Sequence, residues 1–130
     1  GFTIQPSLKT DRGNGYGIYE SAFFESPDKE VEFYIFSGGY NIEASDISLD
    51  ASREKQTSIK VEHTGAKETT TWTEIGAFDN SYLRAYQDTR NQVYNVHKVV
   101  GLKYKSQAAY NKYKSEYLLF KKSYTELGGD

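Results

Sequence analysis

Two runs of β-forming side chains, 19–24 and 31–36, flank the segment Ser26-Pro27-Asp28-Lys29. Proline sets φ at the second position of a type I turn, so this stretch predicts a β-hairpin. With Ser26 opposite Lys29, one face carries Phe24 opposite Val31, Ala22 opposite Phe33 and Glu20 opposite Ile35. The other carries Phe23 opposite Glu32, Ser21 opposite Tyr34 and Tyr19 opposite Phe36. Both faces are therefore apolar in part, whereas an ordinary antiparallel sheet turns a polar side to water.

Similar runs follow. Ser37-Gly38-Gly39 predicts a turn into a strand over 40–47, and the polar stretch 50–56 reads as a loop. Thr-, Val- and Ile-rich segments near 57–63 and 67–78 predict strands joined at His63-Thr64-Gly65-Ala66-Lys67. Asp79-Asn80-Ser81 marks a further turn before 82–86, although the same three residues could cap a helix over 79–92. Another strand starts at Val93. The period then changes: Tyr110, Tyr113, Tyr117, Phe120, Tyr124 and Leu127 fall in steps of three and four, which predicts an amphipathic helix. Ser106 suits its N-cap and Gly128-Gly129 its stop. At about 1.5 Å per residue the helix is roughly 30 Å long, enough to cross a sheet.

The expectation is a mainly β (α+β) chain organised as one domain over 1–130, with a flexible lead-in over 1–14. About seven antiparallel strands in meander order occupy 15–104, closing into a barrel or two packed sheets, and a helix spans 106–127. In strand order this resembles the PH-like superfold, where a helix caps an open barrel, and the lipocalin-like calycins, where a helix packs outside a closed one. The first turn, Ser26 to Glu30, has no cluster of basic residues of the kind that phosphoinositide-binding PH domains carry there. Gly17-Ile18-Tyr19 echoes the G-x-W of lipocalins only in part.

Composition adjusts this picture. Apolar residues are 37% and aromatics 15%, with 12 Tyr, so the packing must rest on amphipathic rings. No stretch reaches the roughly 20 consecutive apolar residues of a membrane-spanning helix, and no signal-peptide pattern is present. The absence of Cys excludes disulfides, thiolate metal sites and a Cys nucleophile. A chain free of Cys and Met and rich in Tyr, Lys and Thr points to an extracytoplasmic setting, secreted or cell-envelope. It begins at Gly1 without Met, as a processed or excised part of a longer protein would. The formal charge of −2 conceals −6 over 1–50, with three Lys/Arg against nine Asp/Glu, and +4 over 51–130. That asymmetry favours docking of the C-terminal helix on the N-terminal sheet and argues against non-specific nucleic-acid binding.

The chemistry-bearing inventory is thin. His63 and His97 sit in no zinc or nucleophile motif. Asp46-x-Ser48-x-Asp50 has calcium-like oxygen spacing without the Gly and distal Glu of an EF-hand. Gly13-Asn14-Gly15-Tyr16-Gly17 lacks the Lys-Ser/Thr ending of a phosphate loop. Glu20 shares a face with Phe24 and Phe33, where an unpaired carboxylate is costly to bury. Lys103, Lys105, Lys112, Lys114, Lys121 and Lys122 interleave with tyrosines, but on the helix the two types sort largely onto different faces. That sorting reads as a solvated side rather than a strand-binding groove. Trp72 lies in a Thr-rich strand, where one ring can anchor a core or stack on a ligand.

The leading expectation is a non-catalytic binding or protein-interaction domain. Its aromatic outer sheet face, Tyr19, Phe23, Tyr34 and Phe36 together with Trp72, would meet a protein partner or a second copy unless the C-terminal helix covers it within the chain. One alternative is a small hydrophobic-ligand carrier, with Glu20, Phe24 and Phe33 lining a barrel cavity. Another is a hydrolase using a His and a carboxylate. No cofactor, metal, nucleic-acid partner or integral membrane segment is expected.

Overall fold

The computed structural model describes residues 3–4, 9–11, 19–44, 47–63 and 67–127, and the side chains of 21–44, 47–63 and 67–123. In chain order the elements are β1 (Thr3–Ile4), β2 (Lys9–Asp11), β3 (Tyr19–Glu25), β4 (Val31–Gly38), β5 (Glu54–His63), β6 (Glu68–Ala77), β7 (Leu83–Asn91), β8 (Val96–Tyr104) and α1 (Gln107–Leu127). The protein is thus a mainly β chain: one antiparallel sheet of six long strands and a C-terminal helix, with β1 and β2 as short pieces along β3. Much of the expected lead-in over 1–14 lies outside the described residues.

The sheet order is β3-β4-β8-β7-β6-β5. Among the described residues no ladder joins β5 to β1, β2 or β3, so the sheet is open and the expected barrel is replaced by two free ends. The meander holds from β5 to β8, but β4 pairs with β8 rather than with a strand directly after it. The strand expected over 40–47 is absent from the described part of that segment, where 39–44 and 47–53 instead cross the sheet without strand structure. Tyr40, Ile42 and Ala44 alternate as a half-buried strand would, yet here the spacing only drops Ile42, Ala44 and Ile47 onto the sheet. The helix considered for 79–92 is replaced by a turn and then β7.

The first hairpin forms with its pairs displaced by two positions: Phe24 faces Phe33, Ala22 faces Ile35 and Phe23 faces Tyr34. The cause is the turn. Lys29 N–H donates to Ser26 O and Ser26 N–H to Val31 O, each at 2.9 Å, so the loop spans 27–30 rather than two residues. Lys29 takes φ 61°. Asp28 Oδ1 accepts from Ser26 Oγ at 2.8 Å and from the Glu30 N–H at 3.1 Å, which fixes the wider loop. A slip of two preserves the faces because side chains alternate with period two.

The helix covers the Phe24 and Phe33 face. Val31, Phe33, Val100, Leu102, Ala109, Tyr113 and Tyr117 form one buried cluster, flanked by Phe24, Ile35, Tyr110 and Phe120. Phe33 meets Tyr117 and Phe120 at ring-centroid distances of 5.3 and 5.1 Å, and Phe24 meets Phe120 at 5.4 Å. The expected cap is present: Ser106 Oγ accepts from Ala109 N–H at 3.1 Å. The charge asymmetry acts locally, since Lys112 Nζ reaches Asp28 Oδ2 at 2.9 Å and ties the helix to the first turn. The Lys112 hydrogen bond, with that from Ser26, holds the Asp28 carboxyl well below the usual carboxylate range.

The loop over 39–53 covers the opposite face. Tyr34, Phe36, Ala44, Ile47 and Val99 are buried together, with Phe23, Ile42 and Tyr86 beside them. Gly101 matters here. A Cβ at that position would sit 2.6 Å from the Tyr34 ring and from Tyr86 Cβ, so its absence lets both tyrosines lean across β8.

Candidate functional site

On the loop side, the sheet and the 39–53 segment enclose a groove of about 810 Å³, within the usual range for small-molecule sites. Its floor follows from strand alternation. Arg84 projects from β7 and Tyr82 from just before it in the same alternation, and the cross-strand row Glu32, Lys103, Arg84 places three ionisable groups next to one another. Arg84 is 8% exposed and Glu54 6%.

A guanidinium at that depth needs all its donors matched. Arg84 Nε and Nη2 donate to the two Glu54 oxygens at 2.8 Å each, a bidentate fit of planar groups. Nη1 donates to Ile47 O at 2.6 Å and to Tyr34 Oη at 3.3 Å, and Nη2 also to Ser48 O at 3.3 Å. Glu54 further accepts from Tyr82 Oη at 2.5 Å and from the Asp50 N–H at 3.0 Å. Burial pushes the Glu54 carboxyl up, but the hydrogen bonds from Arg84 and Tyr82 more than reverse this and leave it at about 2. Burial, reinforced by the bond to Glu54, pushes the Tyr82 hydroxyl up to about 12.

Above this floor the lining is less committed. Lys103 Nζ sits 4.2 Å from the Tyr82 ring centroid, a cation–π contact. Burial raises the Glu32 carboxyl, with Lys103 opposing. Arg53 pairs with Asp50 at 3.0 Å at the mouth, and Phe78, 56% exposed, forms a lip. Four carboxylates, Glu32, Asp50, Glu54 and Asp79, stand against three cations, Arg53, Arg84 and Lys103. The groove offers donors, acceptors and ring faces with little net field.

The residues expected to bind a partner do not form one exposed surface. Phe36 is fully buried and Tyr34 is 2% exposed, both under the 39–53 loop. Phe23 is half-buried against Tyr34, centroids 6.0 Å apart, and lines the groove. Trp72 is on the other side of the sheet, in the cross-strand row of Gln87 and Val100, and its Nε1 donates to Gln87 Oε1 at 3.2 Å. Tyr19 and Glu20 are described only by their backbone pairing with Asp11, Thr10 and Ser37; their side chains lie outside the described residues. Phe24 and Phe33 lie outside the groove, on the other face, with helix rings packed over them.

His63 stands at the exposed end of β5, its Nδ1 3.2 Å from Thr69 Oγ1. His97 does meet a carboxylate, with Nε2 3.0 Å from Asp88 Oδ1 but off the line a hydrogen bond needs. Its ring is fully buried, and Nδ1 is held by Ile42 O at 2.6 Å. This His ties the loop to the sheet and is closed to a substrate. Asp46 of the calcium-like spacing and the glycines at 13, 15 and 17 lie outside the described residues. Among the described residues no three metal-ligating side chains converge, and no helix is long and apolar enough to cross a membrane.

The sequence reading overlooked Arg84 and Glu54, although a signal was available. Arg84 alternates with Tyr82 and Tyr86, and a cation set between two rings on a strand face calls for a buried anion. Comparison with protein-family models, with curated proteins and with solved structures finds no match.

Proposed function

We propose that the chain is a non-catalytic binding domain that holds a small neutral polar ligand with an apolar face, of the saccharide kind, in the groove opposite the helix. One observation carries this reading: the ionised floor of Arg84 and Glu54 is satisfied from within, so the groove presents Lys103 and Glu32 to a ligand, beside the exposed Phe78 ring. Balanced charge disfavours a highly charged ligand, whereas a few placed polar groups among ring faces suit one with hydroxyls along one side. Absence of Cys and Met supports an extracytoplasmic setting for such a module.

The test is amide and side-chain shift mapping by NMR against a panel of neutral oligosaccharides. Shifts should concentrate at 48–54, 78–84 and Lys103. Phe78→Ala and Lys103→Ala should each weaken binding about tenfold, the equivalent of one lost contact of about 1.4 kcal/mol, while leaving the thermal melt in place. Shifts confined to other surfaces, or none with any member of the panel, would overturn the reading.

A further inference from the structure

The groove uses only the start of β5. The rest of that strand is the most exposed part of the sheet: every residue from Lys55 to His63 is exposed, and among the described residues β5 pairs with β6 alone. Ile59 and Val61 are 53% and 52% exposed on the face that β4 and β8 bury under the loop. A long open edge is a template for another strand, and soluble proteins usually blunt it with charge, proline or a bulge. Here a register shift between Gln56 and Ser58 disrupts only the beginning. The stretch 58–63 remains regular and contains no proline.

We infer that 59–63 of β5 pairs antiparallel with the same segment of a second copy, about a twofold axis through Val61. Side-chain alternation requires the axis to pass through one residue if each face is to stay on its own side. Centring on Val61 sets Lys60 against the partner's Glu62 and Glu62 against the partner's Lys60, with the two valines in contact on the opposite face. Neighbouring registers lose this fit. An axis through Lys60 opposes two ammonium groups, one through Glu62 opposes two carboxylates, and one through Ile59 sets Lys55 against His63. The Glu62 side chain makes no hydrogen bond or ion pair among the described residues, and Lys60 only lies over the Trp72 ring, 5.4 Å from its centroid. Both are positioned to pair across the axis. The twofold counts each contact twice, which is how a five-residue edge becomes selective for its own copy. Val61 is about 20 Å along the strand from Glu54, so this surface and the groove are independent.

Sedimentation equilibrium of the full chain, from micromolar to millimolar concentration, tests the pairing. The wild type should form a dimer. Lys60→Glu and Glu62→Lys, each replacing two attractive pairs with two repulsive ones, should raise the dissociation constant about ten- to a hundredfold. The double exchange Lys60→Glu/Glu62→Lys should restore it, and Val61→Pro should abolish the dimer with an unchanged circular dichroism spectrum. A wild type that stays monomeric overturns the inference. So does a dimer indifferent to the single charge reversals, or a double exchange that fails to recover association, since either result places the contact on another surface.

Discussion

The two faces of the sheet are buried by different kinds of cover, and their side chains differ accordingly. The helix arrives with its backbone hydrogen bonds already made within itself, so the surface beneath it is rings and aliphatics: Phe24, Phe33, Val100, Leu102. The 39–53 loop has no such ladder. Its amides and carbonyls need partners from the sheet, and the sheet supplies them: Arg84 for Ile47 O and Ser48 O, Glu54 for Asp50 N–H, His97 for Ile42 O and, from the turn before β8, Asn95 for Tyr40 N–H at 2.9 Å. Buried charge on this face is the counterpart of irregular backbone above it. On that account Arg84, Glu54 and His97 are first of all loop anchors, and the groove is what the anchored loop leaves open.

The largest effect expected of this contrast is at Arg84. Arg84→Met should lower stability by about 3–5 kcal/mol in urea denaturation, because Glu54 is left buried without its partner. Adding Glu54→Leu should recover part of that loss, but not all, since Ile47 O and Ser48 O still lack a donor. A full recovery would show that the loop does not depend on the pair. The same dependence should appear on acidification. The Glu54 carboxyl is held at about 2 against an ordinary 4.5, so its contribution is complete above about 4.5 and is lost as the pH falls toward 2. Amide protection factors within 47–54 should fall over that window before those of the helix-covered residues of β4 and β8.

Next in size is Gly101→Ala, at about 1–3 kcal/mol, from crowding of Tyr34 and Tyr86 beneath the loop. Near-UV circular dichroism of the tyrosines should change with it. The smallest change belongs to the helix side: Ser106→Ala should cost about 1 kcal/mol through the lost cap. It should leave the acid response of 47–54 unmoved, because Glu54 belongs to the other face.

What was legible in the sequence was what near neighbours decide. The first hairpin, the division of its rings between faces, and the helix from its Ser106 cap follow from periods of two and of three to four over short spans. The two-position slip came from turn chemistry: Ser26 and Asp28 side chains close a loop of four where Pro27 alone suggests two. Adjacency of β4 to β8 carries no local mark, since nothing at Phe36 announces that its neighbour is Val99. The segment 40–47 reads as a strand because anchoring residues at Tyr40, Ile42 and Ala44 happen to share the strand period, whereas the polar stretch after it already reads as a loop. The candidate groove was hidden for both reasons, as it lies where that loop meets that non-local sheet.

The neighbour relation of β4 and β8 also bears on how the chain comes together. As it emerges from N- to C-terminus, β3 and β4 are complete while the strand that will flank them has not been synthesised, and β5 to β8 can zip by successive local hairpins before any of them touches β4. The joining of the two halves is therefore a late, long-range closure. Until β8 is in place, the aromatic edge of the first hairpin is the part of the nascent molecule most in need of shelter.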